Sequence, residues 1–346
     1  MAGPKMVAAG CQAWAHSDQL GVMGLVEVVS HLPRLLKVRK SLLKRIGAAR
    51  PAVFVGIDVP DFNLGLAKRF KRAGLRTVQY VSPQVWAWRQ GRVKSIGEAC
   101  DLVLCLLPFE TEFYEKHGVH AEFVGHPLAD QIPLEIDRDA ARRTLGIEAD
   151  ALVVALLPGS RLGEVERLGA DFIAATHWLR ERRPDKAFTF IAPMASPRVR
   201  AVFERQRGEA QVRLLDGQAQ AALAAADAVL VASGTATLET LLSKRPMVVA
   251  YRLGAITAFL LKRLGLIKVP YFSQPNLLVG RRLVPEFFQD AVTGPLLGAA
   301  LLEEIENHDA SAQMQAEFRR VHLTLRRDGA ALAAAAVLKL AGASEP

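Results

Sequence analysis

The chain of 346 residues is poor in cysteine, with Cys11, Cys100 and Cys105 as its only three, an odd number without CxxC spacing. That excludes a disulfide framework and a zinc knuckle and fits a reducing cytosol. No uncharged apolar run reaches the ~18 residues of a membrane span, and the N-terminus has no basic stretch leading into an apolar core. The sequence therefore predicts neither a transmembrane segment nor a secretory leader. No GxGxxG follows a strand-like run, which argues against an NAD-linked dehydrogenase. His117 and His120 form an HxxH, but no acidic partner stands at matching spacing, so no metal site is expected. Repeats and low-complexity segments are also missing. What is present is 51% hydrophobic and 23% charged residues, the composition of a folded protein long enough for two domains.

Lysine and arginine total 44 against 35 aspartates and glutamates, a net charge of +9 that favours encounter with nucleic acid, anionic lipid or nucleotide. The basic residues crowd two stretches that are also apolar, Arg34 to Arg50 and Lys262 to Lys268. That mixture favours a lipid surface over nucleic acid. Leu35, Leu36, Leu42, Leu43 and Ile46 recur at near-helical spacing against Arg34, Lys37, Arg39, Lys40, Lys44 and Arg45. Such a helix could lie on an anionic leaflet, or cover a sheet with its basic face in water. Ile256 to Val269 repeats the mixture.

Short runs of Val, Ile and Leu alternate with longer amphipathic segments, the signature of βαβ units and a mostly parallel sheet. The pattern occurs twice. Candidate strands in the first half are Val53 to Ile57, Thr77 to Val81, Leu102 to Leu106 and Ala121 to Val124. In the second they are Leu152 to Leu157, Ala187 to Ala192, Val212 to Leu214, Ala228 to Ala232 and Met247 to Tyr251. Between them lies the charged stretch Pro133 to Asp150, with a short surface helix at Asp139 to Leu145. The expected division is residues 1–145, residues 146–310, and C-terminal helices in 311–346 that pack back on the first domain or on a partner subunit. Two doubly wound α/β domains are predicted to face each other across a cleft at the C-terminal ends of their strands, so functional residues should follow strands.

Two turns fit that rule. Leu157 runs through Pro158, Gly159, Ser160 and Arg161 toward Glu164, a strand entering a tight turn and a helix. Free N–H groups there can meet an anion, and Arg161 adds a fork of donors suited to phosphate. An ordinary loop with Ser160 as helix cap is the plain alternative. Ala232 is followed by Ser233, Gly234, Thr235, Ala236 and Thr237, with Glu239 one turn into the next helix. Glu239 is placed to accept hydrogen bonds from ribose hydroxyls, unless Ser233 merely caps and Glu239 faces solvent. Ile57 leads into Asp58, Val59, Pro60 and Asp61, two carboxylates at a strand end, one a candidate general base. An ordinary carboxylate, with a pKa of about 4, is a weak base for a sugar hydroxyl, so this role needs burial or a neighbouring charge. Otherwise Asp58 or Asp61 caps the helix that Pro60 begins. Ser82, Pro83, Trp86, Trp88 and Arg89 share one loop after a strand, suited to a cleft wall, a membrane-facing rim or core packing of the indoles.

Read in order, the segments MGLVEVVSHLPRLLK, PAVFVGIDVPDFN, YVSPQVWAWRQGRV, LPFE, VGHPLAD, LLPGSR, LLDG, ASGTATLE, MVVAYR and PNLLVGR resemble the lipid-A-disaccharide synthase family across essentially the whole chain. The resemblance implies a GT-B fold of two Rossmann-like domains. It implies UDP-2,3-diacylglucosamine as donor, 2,3-diacylglucosamine 1-phosphate as acceptor, and UDP with a β-1,6-linked disaccharide as products. By the same resemblance Asp58 is the general base and Arg161 lies near the diphosphate. Asn276 and Glu239 match positions tied to activity or nucleotide binding, and Gly159, Ser160, Ser233, Gly234 and Thr235 line the nucleotide site. Met23, Trp86, Trp88 and Arg89 fall on the acceptor or membrane side. No cofactor and no metal are expected, because helix N-termini and Arg161 can balance the leaving diphosphate. The implied setting is cytoplasmic, peripheral at the inner membrane's anionic face, without nucleic acid and as a homodimer.

Family members carry a strand, a glycine-rich GExSGD loop and a helix ahead of the AGPKM segment, whereas here Met1 directly precedes Ala2, Gly3, Pro4 and Lys5. The first domain is therefore expected to lack a unit of about thirty residues or more. Two other readings follow: an inactive membrane-peripheral protein, and another UDP-sugar enzyme of the same architecture, such as an epimerase.

Overall fold

The computed structural model describes residues 1–16, 25–88, 90–254 and 270–342. They form two compact units, one of Met1–Leu106, Glu110–Val124 and the chain from Ala330, the other of Leu107–Phe109 and Gly125–Gly329.

The first unit holds a four-stranded parallel sheet in the order β1 (Val53–Ile57), β2 (Arg76–Tyr80), β3 (Leu102–Cys105), β4 (Ala121–Phe123). Alternate residues of a strand point to opposite faces. Val103 and Cys105 join one core with Leu64, Val85, Val93, Ile96 and Tyr114. Leu102 and Leu104 join another with Val78, Val124, Ala333 and Ala336, the last two from the C-terminal helix Gly329–Ala341. The basic amphipathic segment lies in the helix Leu25–Ala49. Its Leu42 is buried with Leu66 and Phe70, while Val38, Leu43 and Ile46 pack against the same cluster. Its apolar face thus covers protein, and Arg34, Lys37, Lys40, Lys44 and Arg45 are exposed.

The second unit holds a six-stranded parallel sheet in the order β10-β9-β8-β5-β6-β7. Its strands are β5 (Leu152–Leu157), β6 (Phe188–Met194), β7 (Val212–Asp216), β8 (Ala228–Ala232), β9 (Met247–Tyr251) and β10 (Glu286–Phe288). Their near-continuous apolar runs match a sheet covered on both faces. Val154, Leu156, Phe190 and Leu230 pack with Phe172, Phe203 and Leu297 from the flanking helices. The strand order reverses at β5, whose neighbours are β6 and β8. Ligands bind at such switch points, beyond the carboxyl ends of the strands.

The structure departs from the sequence expectations in several places. Strand β10 went unpredicted. Strand β6 runs on to Met194 and β7 to Asp216, past the ends read from the sequence. The boundary falls at Gly125 rather than after residue 145, because the helix Arg138–Leu145 is bound into the second unit. Arg142, 1% exposed, donates from Nη2 to Asp227 Oδ2 at 2.8 Å, from Nε to the Ala225 carbonyl at 3.0 Å and from Nη1 to the Ala149 carbonyl at 2.6 Å. Arg138 holds the other Asp227 oxygen at 2.6 Å. The C-terminal helices also divide, His308–Leu325 in the second unit and Ala330 onward in the first.

Candidate nucleotide site and catalytic carboxylate

At the switch point of the second unit lies a cavity of about 360 Å³. It is lined from β5 by Leu157, Gly159, Ser160, Arg161 and Glu164, and from β8 by Ala232, Ser233, Gly234, Thr235, Ala236 and Glu239. The ends of β6 and β7 add Pro193, Met194, Ala195, Gly217 and Ala219. Both turns read from the sequence therefore open on one cavity, and neither serine caps its helix. Arg161 is the N-cap of Leu162–Arg182, and Gly234 (φ 149°) is the N-cap of Thr235–Leu242 with no side-chain cap at all. Ser233 Oγ instead donates to the Phe272 carbonyl at 3.0 Å. An uncapped first turn leaves N–H groups and the positive end of the helix dipole available to an anion.

The two cradles differ. After β5 the carboxylate of Glu164 accepts from Ser160 N at 3.0 Å, Arg161 N at 3.3 Å and Arg161 Nη1 at 3.1 Å. An internal anion thus occupies the donors that the sequence assigned to phosphate. Gly159 (φ 132°) permits this, since a Cβ there would collide with Glu164. Glu239 does not simply face water: it lines the cavity, and burial raises its carboxyl above the usual carboxylate range. The walls from β6 and β7 escaped the sequence reading. Their signal is the position of each turn beside the switch strand, which emerges only once strand order is known.

In the first unit, Asp58 follows β1 as an exposed carboxylate with no ion-pair partner among the described residues. Asp61 differs, being paired with Arg92 at 2.6 Å. Neither caps the helix Pro60–Arg72, whose N-cap is Val59 in a left-handed conformation. Trp86 is half-buried and donates from Nε1 to Glu110 Oε1 at 3.2 Å, which ties its loop to the core. Ser82 Oγ donates to the same oxygen at 2.8 Å. Met23, Arg89 and the segment Ile256 to Val269 lie outside the described residues, as does the side chain of Trp88.

Asn276, expected among the catalytic residues, is fully buried and lines no part of this cavity. Its Nδ2 donates to the Val284 carbonyl at 3.0 Å and to Glu286 Oε1 at 2.8 Å. Its Oδ1 accepts from Leu283 N at 2.6 Å and Val284 N at 2.8 Å. An amide has two donors and two acceptor positions, and all four are used internally. Asn276 therefore fastens the helix Gln274–Val279 to the turn that leads into β10.

Two Rossmann-like units, the second with an uncapped helix start opening on a cavity at its switch point, have the architecture of the GT-B fold. The same fold occurs in UDP-GlcNAc 2-epimerase from Neisseria meningitidis bound to UDP-GlcNAc, with a TM-score of 0.64 at 12% identity over 96% of this chain and 87% of that one. Trehalose-6-phosphate from E. coli bound with UDP-2-fluoro glucose has a TM-score of 0.55 at 12% identity, over 93% and 80%. Residues 1–339 match the family described as lipid-A-disaccharide synthetase. Lipid-A-disaccharide synthase of Alkalilimnicola ehrlichii is 53% identical over 346 residues, 98% of this chain and 90% of the relative. That of Pseudomonas aeruginosa is 54% identical over 341 residues, 98% and 88%. The chain belongs to the lipid-A-disaccharide synthase family and is a glycosyltransferase.

Proposed function

We propose that this protein joins UDP-2,3-diacylglucosamine to 2,3-diacylglucosamine 1-phosphate, releasing UDP, and that it does so at an anionic membrane surface. The observation that carries the reading is the cavity where the uncapped helix at Gly234, Arg161 and the half-buried Glu239 converge. In it the diphosphate lies on the first turn of Thr235–Leu242, and Arg161 turns from Glu164 to the phosphates. Glu239 accepts from the ribose hydroxyls. Asp58, exposed and without an ion-pair partner among the described residues, becomes basic enough only once bound substrate desolvates it, and then takes the proton of the acceptor hydroxyl, whose oxygen forms the new bond to the anomeric carbon. The bond from that carbon to the diphosphate oxygen breaks with inversion, and UDP leaves with the electron pair. Catalysis then consists of positioning and charge stabilisation, with helix dipole and guanidinium in place of a divalent metal.

The net charge of +9 and the exposed basic face of Leu25–Ala49 support a membrane-surface setting. Among the described residues no helix is long and apolar enough to cross a membrane. A homodimer is part of the same proposal. The test is transfer of a radiolabelled acceptor by the purified chain, with and without chelator and with and without anionic vesicles. Formation of labelled disaccharide in chelator, enhanced by vesicles, is the expected result. Epimerised UDP-sugar without disaccharide would overturn the reading.

A further inference from the structure

Three residues other than glycine adopt left-handed backbone at the ends of β1 and β2: Asp58 (φ 50°), Val59 (φ 38°) and Val81 (φ 71°). Such angles press Cβ against the following carbonyl, and β-branched side chains crowd it further. Residues held this way cluster where geometry matters to function. Two buried amides hold them here. Gln79, 1% exposed, donates from Nε2 to the carbonyls of Asp58 at 3.1 Å, Tyr80 at 3.2 Å and Val81 at 3.3 Å. Asn63, 9% exposed, donates from Nδ2 to the carbonyls of Ile57 at 3.2 Å and Asp58 at 2.7 Å. The Asp58 carbonyl is thus gripped from two sides, and the Asp58 N–H donates to the Tyr80 carbonyl at 2.9 Å.

Gly56 makes the grip possible. A Cβ at Gly56 would lie 2.9 Å from Gln79 Oε1 and 2.9 Å from Asn63 Cβ, so any larger residue would push both amides away. Gln79 Oε1 meets no donor among the described residues. An unpaired buried acceptor is unfavourable, and an apolar residue in the middle of β2 would avoid it. The glutamine is therefore accounted for by what its nitrogen does. Its three acceptors are all backbone carbonyls at the ends of β1 and β2, two of them on the left-handed residues Asp58 and Val81.

We infer that Gln79 and Asn63 are positioning residues for the transfer reaction: they hold the Asp58–Val59 turn in a conformation its own residues disfavour, and so fix the direction of the Asp58 carboxylate, given its proposed role as proton acceptor. Val59 stands next to the carboxylate, is 36% exposed and makes no part of the nucleotide cavity. It supplies a rescue. Glycine takes positive φ without strain, so Val59→Gly lets the turn keep its shape with less help from the amides.

The experiment compares the full chain with Asp58→Ala, Gln79→Met, Asn63→Ala, Val59→Gly and the double variant Gln79→Met/Val59→Gly. For each, kcat, KM, UDP affinity and melting temperature are measured. Gln79→Met is expected to lower kcat on the order of 100-fold, the scale of a misplacement of about 1 Å at a reacting group. KM and UDP affinity stay as in the parent, and the double variant regains part of the lost kcat. Near-parental kcat in Gln79→Met, or a loss that Val59→Gly leaves untouched, overturns the inference while Asp58→Ala remains inactive. Turnover by Asp58→Ala overturns instead the role of Asp58 itself. If Gln79→Met does not fold, Asn63→Ala carries the same split between kcat and KM.

Discussion

Replacing Asn276 by alanine separates a catalytic role from a structural one. The substitution removes both donors and both acceptor positions of a fully buried amide. Glu286 loses least, because its carboxylate still accepts from Ser273 N at 2.9 Å and Phe272 N at 3.2 Å. The backbone N–H groups of Leu283 and Val284 lose more, since each has Asn276 Oδ1 as its partner, and Val284 is wholly buried. A buried donor left unsatisfied costs about 1–3 kcal/mol, and the half-buried Leu283 N–H recovers some of that from water. A total near 3 kcal/mol lowers the melting temperature of a unit of this size by about 6–12 °C. Asn276→Asp should be at least as disruptive, because it sets a second carboxylate beside Glu286 where a 2.8 Å donor had been. The assay is thermal denaturation by circular dichroism, paired with transfer activity well below the melting point. Loss of stability with substantial activity retained in the cold is the expected result. A variant that melts like the parent and yet fails to turn over would place Asn276 on the substrate and refute the structural account.

Asp58→Ala should abolish transfer with the fold intact by circular dichroism, whereas Asp61→Ala, which frees only an exposed pair with Arg92, should cost little, and equal losses would reverse the two assignments. Glu164→Ala should tighten UDP binding by about fivefold, the equivalent of about 1 kcal/mol, by releasing Arg161 and two N–H donors; weaker binding by calorimetry would mean that the carboxylate organises the loop for the nucleotide. Ionised Glu239 accepts from ribose with both oxygens and more strongly than its neutral form, and burial raises its pKa, so UDP affinity should fall on acidification at a pH above that of an ordinary carboxylate. Glu239→Gln should flatten that limb, and an unchanged pH profile in the variant would assign it elsewhere. His126 is pushed down to about 4 by burial, partly opposed by the charge of Asp130, while its Nδ1 accepts from Leu128 N. Because the unfolded chain protonates first, stability should be full above pH 6.5 and fall by about 3 kcal/mol between pH 6.5 and 4, and His126→Asn should remove that slope in urea titrations.

Nine of the ten strands among the described residues follow from alternation and apolar runs, because those signals are local. Strand β10 has no such signal: its three residues, Glu286 to Phe288, are a strand only because they pair with Val249 to Tyr251. The charged stretch around Arg142 reads as a solvated helix, and its burial depends on Asp227, a partner far away in the chain. The two turns that line the second unit's cavity were legible because each is an apolar strand running into a tight turn and a helix start, a pattern that is local in sequence. That Glu164 fills one of them was not, since the same capping pattern serves any helix start. Asn276 was found by resemblance and its place in the core only by structure, because four hydrogen bonds to residues 283–286 require the turn to close first.

The two units solve one backbone problem differently, and the reason lies in what each turn presents. The turn at Gly234 offers N–H groups to an anion, so no side chain is needed there and glycine supplies the positive φ at no steric cost. The turn after β1 presents a carboxylate. Glycine at residue 58 would erase the group being presented, so an aspartate must take φ 50° against a penalty of about 1–2 kcal/mol. Interactions outside the turn have to offset that penalty, and the carbonyl of Asp58 is where the amides of Gln79 and Asn63 both act. On the proposed role of Asp58, the amides of Asn63 and Gln79 are the buried polar clamp beneath its left-handed turn, and Gly56 leaves them the room to act.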